Sequence, residues 1–77
     1  QHLLVYPNPS AGMIYVDCSS FRSKALIEVA DISGRVVKRI ENATGTAIVD
    51  VTGVPSGIYL VTVSDNQNSL FRKIVLQ

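Results

Sequence analysis

Residues 58–64, IYLVTVS, indicate the fold of the chain because apolar side chains recur in them at every second position. In an extended strand Tyr59, Val61 and Val63 share one face, and Thr62 lies on the other. This two-residue period is typical of a strand with one buried face, whereas an α-helix would repeat every 3.6 residues. The stretch therefore predicts a strand that turns Tyr59, Val61 and Val63 toward a core.

The same alternation recurs along the chain and is interrupted by Gly, Pro, Asn, Asp and Ser, the residues expected of turns. It predicts seven short strands, at residues 3–6, 13–18, 25–30, 36–40, 47–51, 58–64 and 70–76. The predicted core comprises Ile14, Val16, Ile27, Val29, Val49, Val51, Tyr59, Val61 and Val63. The last strand is ambiguous, because Ile74 and Leu76 would face opposite to Phe71 and Val75.

Strands with one apolar face each must stack as two layers, so we predict an all-β fold. The expected form is a small immunoglobulin-like two-layer β-sandwich of about seven strands. Hydrophobic residues make up 47% of the 77-residue chain and charged residues 17%, which favours one packed domain over a disordered segment. Cys18 is the only cysteine, so no disulfide within the chain can stabilise it.

The stretch VYPNPSAG, residues 5–12, predicts that the first strand ends early. Pro7 and Pro9 fix their own φ and push Tyr6 and Asn8 toward extended geometry. We therefore expect a strand that ends at about Tyr6, followed by a turn.

Two further stretches predict tight turns. In DISGR, residues 31–35, Asp31 suits the first position of a type I turn and Gly34 the last, which predicts a hairpin. In VPSGIY, residues 54–59, the proline ends one strand, and Tyr59 is expected to bury its ring while its hydroxyl bonds to a backbone partner.

Residues suited to catalysis or metal binding are few and scattered. His2 is the only histidine and lies at the start of the chain, so no histidine-paired nucleophile is expected inside the fold. Cys18 is expected to act as a small core residue, and no acid-rich loop supplies a calcium site. A net charge of +1 argues against nucleic-acid binding, and the short apolar runs argue against membrane insertion. We expect no enzyme activity, no cofactor and no metal.

Small β-sandwiches also serve as sugar-binding modules, which usually need exposed aromatic side chains. The chain has no Trp, and only Tyr15 and Phe21 are candidates, with packing at the rim as the favoured interpretation. An accessory carbohydrate-binding or fibronectin-like spacer module of a secreted enzyme or adhesin is the alternative function.

Four stretches in a fixed order carry a more specific signal: LLVYPNPSAG, ALIEVADISGRVV, DVTGVPSGIYLVTV and the final FRKIVLQ. Together they closely resemble the C-terminal sorting domain of the type IX (Por) secretion system, type A. The resemblance covers residues 3–77 and implies one sorting domain at 1–77, with residues 1–2 as the end of a linker and 3–77 as the β-sandwich.

The resemblance implies a secretion signal that directs a larger cargo protein across the outer membrane. The implied partners are the type IX machinery, namely its outer-membrane translocon and shuttle and a sortase-like cysteine protease. The implied location is the periplasm in transit and then the cell surface or the medium. Removal of the domain at or upstream of residues 5–12 is implied as well, with the cargo anchored on the surface or released.

The resemblance also assigns particular residues. The family motif positions are Tyr6, Pro7, Asn8, Pro9, Gly12, Asp31, Gly34, Arg35, Gly57 and Tyr59. The secretion-signal recognition residues are Lys73, Ile74, Val75, Leu76 and Gln77. Many members end in Lys where this chain has Gln77, so no terminal cation is available here.

The position of the final strand suggests how a partner would contact it. No loop follows Gln77, so we expect the edge of this strand to be open to strand addition by another protein. Both faces of this strand carry apolar residues, although a sandwich buries only one face of each strand. One apolar face is therefore expected to be available to a partner.

Overall fold

The computed structural model describes residues 3–21 and 23–77. Seven strands follow one another: β1 (Leu4–Tyr6), β2 (Met13–Asp17), β3 (Ala25–Asp31), β4 (Val36–Ala43), β5 (Thr46–Asp50), β6 (Gly57–Ser64) and β7 (Ser69–Leu76). The described residues contain no helix. The predicted all-β fold is therefore confirmed.

The strands form two sheets that pack face to face. One sheet has three strands in the order β1-β2-β5, and the other has four in the order β4-β3-β6-β7. All pairings between the strands are antiparallel. Buried side chains from both sheets form one apolar cluster, as expected of a two-layer β-sandwich.

All nine residues of the predicted core are buried: eight lie on the inward faces of strands, and Val51 directly follows β5. In the four-stranded sheet Val61 of β6 lies opposite Val29 of β3, and Val63 lies opposite Ile27. Further buried residues come from strand ends, from the last strand and from loops: Leu3, Val5, Cys18, Phe21, Ala25, Ala43, Ile74 and Leu76. Phe21 is part of this buried cluster, so its ring is packed rather than exposed as a platform for a sugar.

The structure decides which face of the last strand is inward. Ile74 and Leu76 are buried, whereas Phe71 and Val75 are exposed. Tyr59 lies opposite Ile74 in the neighbouring β6, so the inward faces of the two strands agree in register.

Predicted strand boundaries are close except in β4, which was expected to end at Ile40. The strand continues to Ala43, whose side chain is buried and which lies opposite Ala25 of β3. The polar residues Glu41 and Asn42 are exposed, and the pairing with β3 has an irregular register near Ala25. Because this irregularity interrupts the alternation, the polar residues resemble a turn in the sequence.

Candidate functional site

Three of the four motif stretches meet in the larger sheet. Asp31 at the end of β3 lies opposite Tyr59 of β6, and Tyr59 lies opposite Ile74 of β7. Gly57 at the start of β6 lies opposite Leu76. The central turn, the Gly-x-Tyr stretch and the end of the chain are therefore neighbours at one end of the sandwich.

The fourth stretch lies along the outer edge of β7. We call residues 7–12 the N-terminal turn. The Ser10 N–H donates to the Val75 carbonyl at 2.9 Å, and the Gln77 N–H donates to the Ser10 carbonyl at 2.8 Å. Ser10 and Leu76 form an isolated parallel bridge. The N-terminal turn thus continues the sheet by one residue beyond β7.

A side chain completes this contact. The Val75 N–H donates to Asn8 Oδ1 at 3.0 Å, across 67 residues of sequence. Both backbone polar groups of Val75 are then satisfied within the chain, so neither is free to pair with an added strand. The expectation of an open edge is therefore wrong for Val75 and for the N–H of Gln77, because the N-terminal turn occupies that position.

The N-terminal turn is itself held in place. Ser10 is buried, and its hydroxyl donates to the Met13 carbonyl at 2.7 Å. The Gly12 carbonyl accepts from the Val51 N–H at 2.8 Å and from the Thr52 hydroxyl at 3.3 Å. Gly12 has a φ of 89°, a conformation that glycine adopts without the steric cost of a Cβ. The turn therefore connects the edge of β7 with the smaller sheet.

The remaining residues of the N-terminal motif have few contacts. Pro7 and Pro9 are exposed, and the Tyr6–Pro7 and Asn8–Pro9 peptide bonds are cis. Tyr6 stacks on Tyr15 of β2, with ring centroids 5.4 Å apart and an interplanar angle of 22°. This stack leaves one face of each ring covered by the other, and Phe21 is buried, so an extended aromatic platform for sugar is not formed by these residues.

Replacement of Asn8 by Ala will expose the amide of Val75. Loss of the Asn8 Oδ1 acceptor removes one hydrogen bond, worth about 0.5–1.5 kcal/mol. We expect faster hydrogen exchange at the Val75 amide and a small loss of stability, measured by NMR exchange and thermal melting. The Val61 amide lies within the sheet, so its hydrogen exchange should change only by as much as the stability of the whole domain changes.

Asn66→Ala is the matched control for this variant. Asn66 lies on the exposed connection between β6 and β7, and its side chain makes no hydrogen bond to the described residues. Unchanged exchange of Val75 in Asn8→Ala would show that Asn8 does not protect the edge.

The central turn is a hairpin, as predicted. The Gly34 N–H donates to the Asp31 carbonyl at 3.0 Å, and the Asp31 N–H donates to the Arg35 carbonyl at 2.9 Å. Gly34 has a φ of 92°, which closes the turn. Asp31 Oδ1 accepts from the Ser33 hydroxyl at 2.6 Å and from the Ser33 and Arg35 N–H groups at 3.0 Å.

These bonds favour the ionised form of the Asp31 carboxylate. The Ser33 hydroxyl, followed by the Arg35 N–H, lowers the pKa of Asp31 because both stabilise its ionised form. The Arg35 side chain approaches Asp31 at 3.5 Å but is largely exposed. An exposed pair of this kind contributes little to stability, so Asp31 acts mainly by fixing the turn.

Tyr59 also has a structural role. Its ring is buried and its hydroxyl donates to the Pro55 carbonyl at 2.6 Å, as the sequence predicted. A Cβ at Gly57 would lie 3.8 Å from the Tyr59 ring, which is an ordinary contact distance. The Gly-x-Tyr stretch therefore fixes the loop before β6 beside the end of β7.

The terminal strand presents an apolar surface to solvent. Phe71, Lys73 and Val75 share the outward face of β7, and Val75 and Lys73 lie opposite Ile58 and Leu60 of β6. We call these five residues the β6–β7 outer patch. Of the recognition residues predicted from the sequence, Lys73, Val75 and Gln77 are exposed, and Ile74 and Leu76 are buried.

Side chains that could hold a metal ion do not gather in the described part of the chain. No group of three or more His, Cys, Asp or Glu side chains is placed to hold a metal ion among residues 3–21 and 23–77. Cys18 is buried, and burial raises the pKa of its thiol, with the Asp17 carboxylate adding to the rise. His2 lies outside the described residues.

Ser10 belongs to this end of the sandwich but was not predicted from the sequence. Ser10 is the buried polar residue of the core, and it joins the N-terminal turn to β7. Its position after Pro9 in a polar stretch looks like an ordinary turn residue. Only the three-dimensional approach of residues near both ends of the chain reveals its partners.

Comparisons with known proteins agree with this architecture. A family model described as "Secretion system C-terminal sorting domain" matches residues 4–77. The match is to the family as a whole, so the type A subtype stays a prediction. No curated protein matches the chain. None of the described residues belongs to a helix with the length and hydropathy needed to cross a membrane.

The fold is shared with a solved structure. It is that of PorZ, an essential bacterial surface component of the type-IX secretion system of Porphyromonas gingivalis. The TM-score is 0.80 at 21% sequence identity, with 97% of this chain and 11% of the PorZ chain covered. The chain thus spans about a tenth of the length of PorZ, and at this identity the likeness establishes the fold alone.

Proposed function

The chain belongs to the secretion system C-terminal sorting domain family, and from this membership we propose how it acts as a type IX secretion signal. The sorting role itself is that of the family. Our proposal is that residues 1–77 form one sorting domain, in which residues 3–77 are the folded signal and residues 1–2 end a linker. The larger protein upstream is the cargo.

The observation that carries the proposal is the convergence of the motif stretches at one end of the sandwich. Asn8 and Ser10 bond to Val75 and Gln77, and Gly57 and Leu76 lie opposite each other. These contacts lie within the chain, so they support the shape of the end of β7. We propose that Lys73, Val75 and Gln77 contact the secretion machinery, while Ile74 and Leu76 hold the strand in place.

The partners follow from the same proposal. We infer that the outer-membrane translocon and its shuttle recognise the folded domain in the periplasm. A sortase-like cysteine protease then separates it from the cargo, which is anchored on the cell surface or released. We propose that the domain contributes binding surfaces rather than catalytic groups to these steps.

Export of a fused reporter tests the proposal. The 77-residue chain is placed after a fluorescent protein that carries a general-pathway signal peptide, in a host with type IX machinery. We expect fluorescence at the cell surface or in the medium. In an isogenic strain without the outer-membrane translocon, the reporter should remain in the periplasm.

Two controls make the result specific. The same reporter without the chain should stay in the periplasm of both strains. Equal export of the complete fusion from both strains would contradict a type IX signal.

A further inference from the structure

The last strand offers a partner fewer surfaces than its position at the end of the chain suggests. Its inward face is buried through Ile74 and Leu76. Its outer edge at Val75 and the Gln77 N–H is occupied by Asn8 and Ser10. The outward face of the strand remains free near its end.

That face is apolar and continuous with the neighbouring strand. The four apolar members of the β6–β7 outer patch, Ile58, Leu60, Phe71 and Val75, are between 38% and 69% exposed. Ile58 lies opposite Val75, so these two form a cross-strand pair, and Leu60 lies next to them on the same face of β6. An exposed cluster of large apolar side chains is a common mark of a protein-binding surface.

A single charge lies inside this apolar surface. Lys73 lies opposite Leu60, and on its own strand it lies between Phe71 and Val75. The ion pairs found among the described residues involve Arg35 with Asp31 and Arg39 with Glu28 and Glu41, and none involves Lys73. Within the described part of the chain, no carboxylate therefore lies at ion-pair distance from the Lys73 ammonium.

We propose that the β6–β7 outer patch docks on an apolar surface of a secretion-machinery protein that places a carboxylate opposite Lys73. This inference rests on the proposed function and specifies its contact chemistry. Burying Ile58, Leu60 and Val75 under a partner would also remove water from Lys73. An unpaired buried ammonium is costly, so the partner must supply the anion. The charge pair would also set the orientation of the contact.

A second copy of the chain is a poorer occupant of the same patch. A two-fold symmetric contact uses the same surface on both subunits, so a contact centred on the patch would bring the two Lys73 side chains together. Like charges facing each other across an interface cost several kcal/mol. The charge in the middle of the patch thus favours a partner of different sequence.

Charge reversal tests the proposal in the reporter fusion. We expect Lys73→Glu to reduce export by about tenfold or more, since it places like charges across the contact. Lys73→Arg restores the positive charge and should recover most of the export that Lys73→Glu loses. Because Lys73 is exposed and outside the ion pairs, both isolated variants should keep the melting temperature of the original chain, measured by circular dichroism.

A matched control lies on the opposite sheet. Ile48 of β5 is an exposed apolar residue outside the patch, and Ile48→Glu introduces the same acidic group. We expect export of Ile48→Glu to equal that of the original fusion, whereas Leu60→Glu should lose export as Lys73→Glu does. Equal losses in Ile48→Glu and Leu60→Glu would overturn the assignment of the patch.

Photocrosslinking identifies the occupant. A benzophenone amino acid in place of Phe71 should crosslink the exported fusion to a machinery protein at a segment that contains Asp or Glu. Crosslinks only between two copies of the fusion, only to lipid, or to a segment without acidic residues would overturn the proposal.

The outcomes separate this inference from the proposed function. If the unaltered fusion were exported without the translocon, the proposed function itself would be contradicted. If the unaltered fusion needed the translocon and Lys73→Glu were exported equally well, the sorting function would stand. The proposal that the β6–β7 outer patch docks on the machinery would then be refuted.

Discussion

Removal of residues 73–77 will unfold the domain as well as abolish export. The deletion takes away Ile74 and Leu76, which are buried in the core. It also removes the groups that bond to Asn8 and Ser10. Loss of a buried aliphatic side chain costs about 2–5 kcal/mol, and two are lost at once. A domain of this size is stable by an amount near the lower end of about 5–15 kcal/mol, so the remainder cannot hold the fold.

Circular dichroism and one-dimensional NMR of the isolated truncated chain measure this effect. We expect loss of the cooperative thermal transition and of the dispersed methyl resonances. Gln77→Ala is the matched control, because its side chain is exposed and its backbone N–H still reaches the Ser10 carbonyl. A truncated chain that melted like the original would contradict the burial of Ile74 and Leu76.

This prediction changes how a truncation should be interpreted. A deletion that blocks export shows that the folded domain is needed, and the same result would follow from removing any core strand. Surface variants such as Lys73→Glu alter recognition while leaving the core intact. Recognition and folding are therefore separable in this strand because its alternate residues face opposite directions.

The two-layer fold was predictable from the sequence because alternation assigns each residue to a face before any contact is known. Ile27 and Val29 flank Glu28 in one stretch, and Val61 and Val63 flank Thr62 in another. The hairpin at Asp31 was predictable for a different reason, since its hydrogen bonds connect residues at most four apart. Short-range patterns therefore determined the strands, their faces and this turn.

The covered edge of β7 was not predictable by the same reasoning. Alternation describes the two faces of a strand and says nothing about what lies along its edge. Asn8 reaches Val75 across 67 residues, and that contact depends on how the two sheets pack. Ser10 was missed for the same reason, because its burial results from the approach of β7.

The motif residues divide into two groups once their partners are known. Asp31, Gly12 and Tyr59 have hydrogen-bond partners within the chain, which account for their chemistry without a binding partner. Lys73 and Val75 project side chains into solvent on an apolar face. The resemblance places all of these positions in one pattern, and the contacts separate the residues that build the end of the sandwich from those available to be recognised.

Truncation of Ile27 to Ala will remove much of the stability of the domain. Ile27 is 1% exposed and lies between Ile40 of β4 and Val63 of β6. A cavity there cannot collapse easily, because pairing on both sides fixes the β3 backbone. We expect a loss of about 2–4 kcal/mol. For a domain of 60–100 residues each kcal/mol lowers the melting temperature by about 4–8 °C, so the shift should exceed about 8 °C.

Ile32→Ala supplies the matched control for this loss, since it deletes the same atoms from a residue that is 85% exposed. Its stability should stay within about 0.5 kcal/mol of the original chain. Urea unfolding of both variants gives the two free energies directly. A similar loss in both would show that Ile27 is not in the core. If only Ile27→Ala loses much of its stability, its reporter export should also fall, in proportion to the unfolded fraction. The reason is that β3 pairs with β6, and β6 pairs with the strand that carries Lys73.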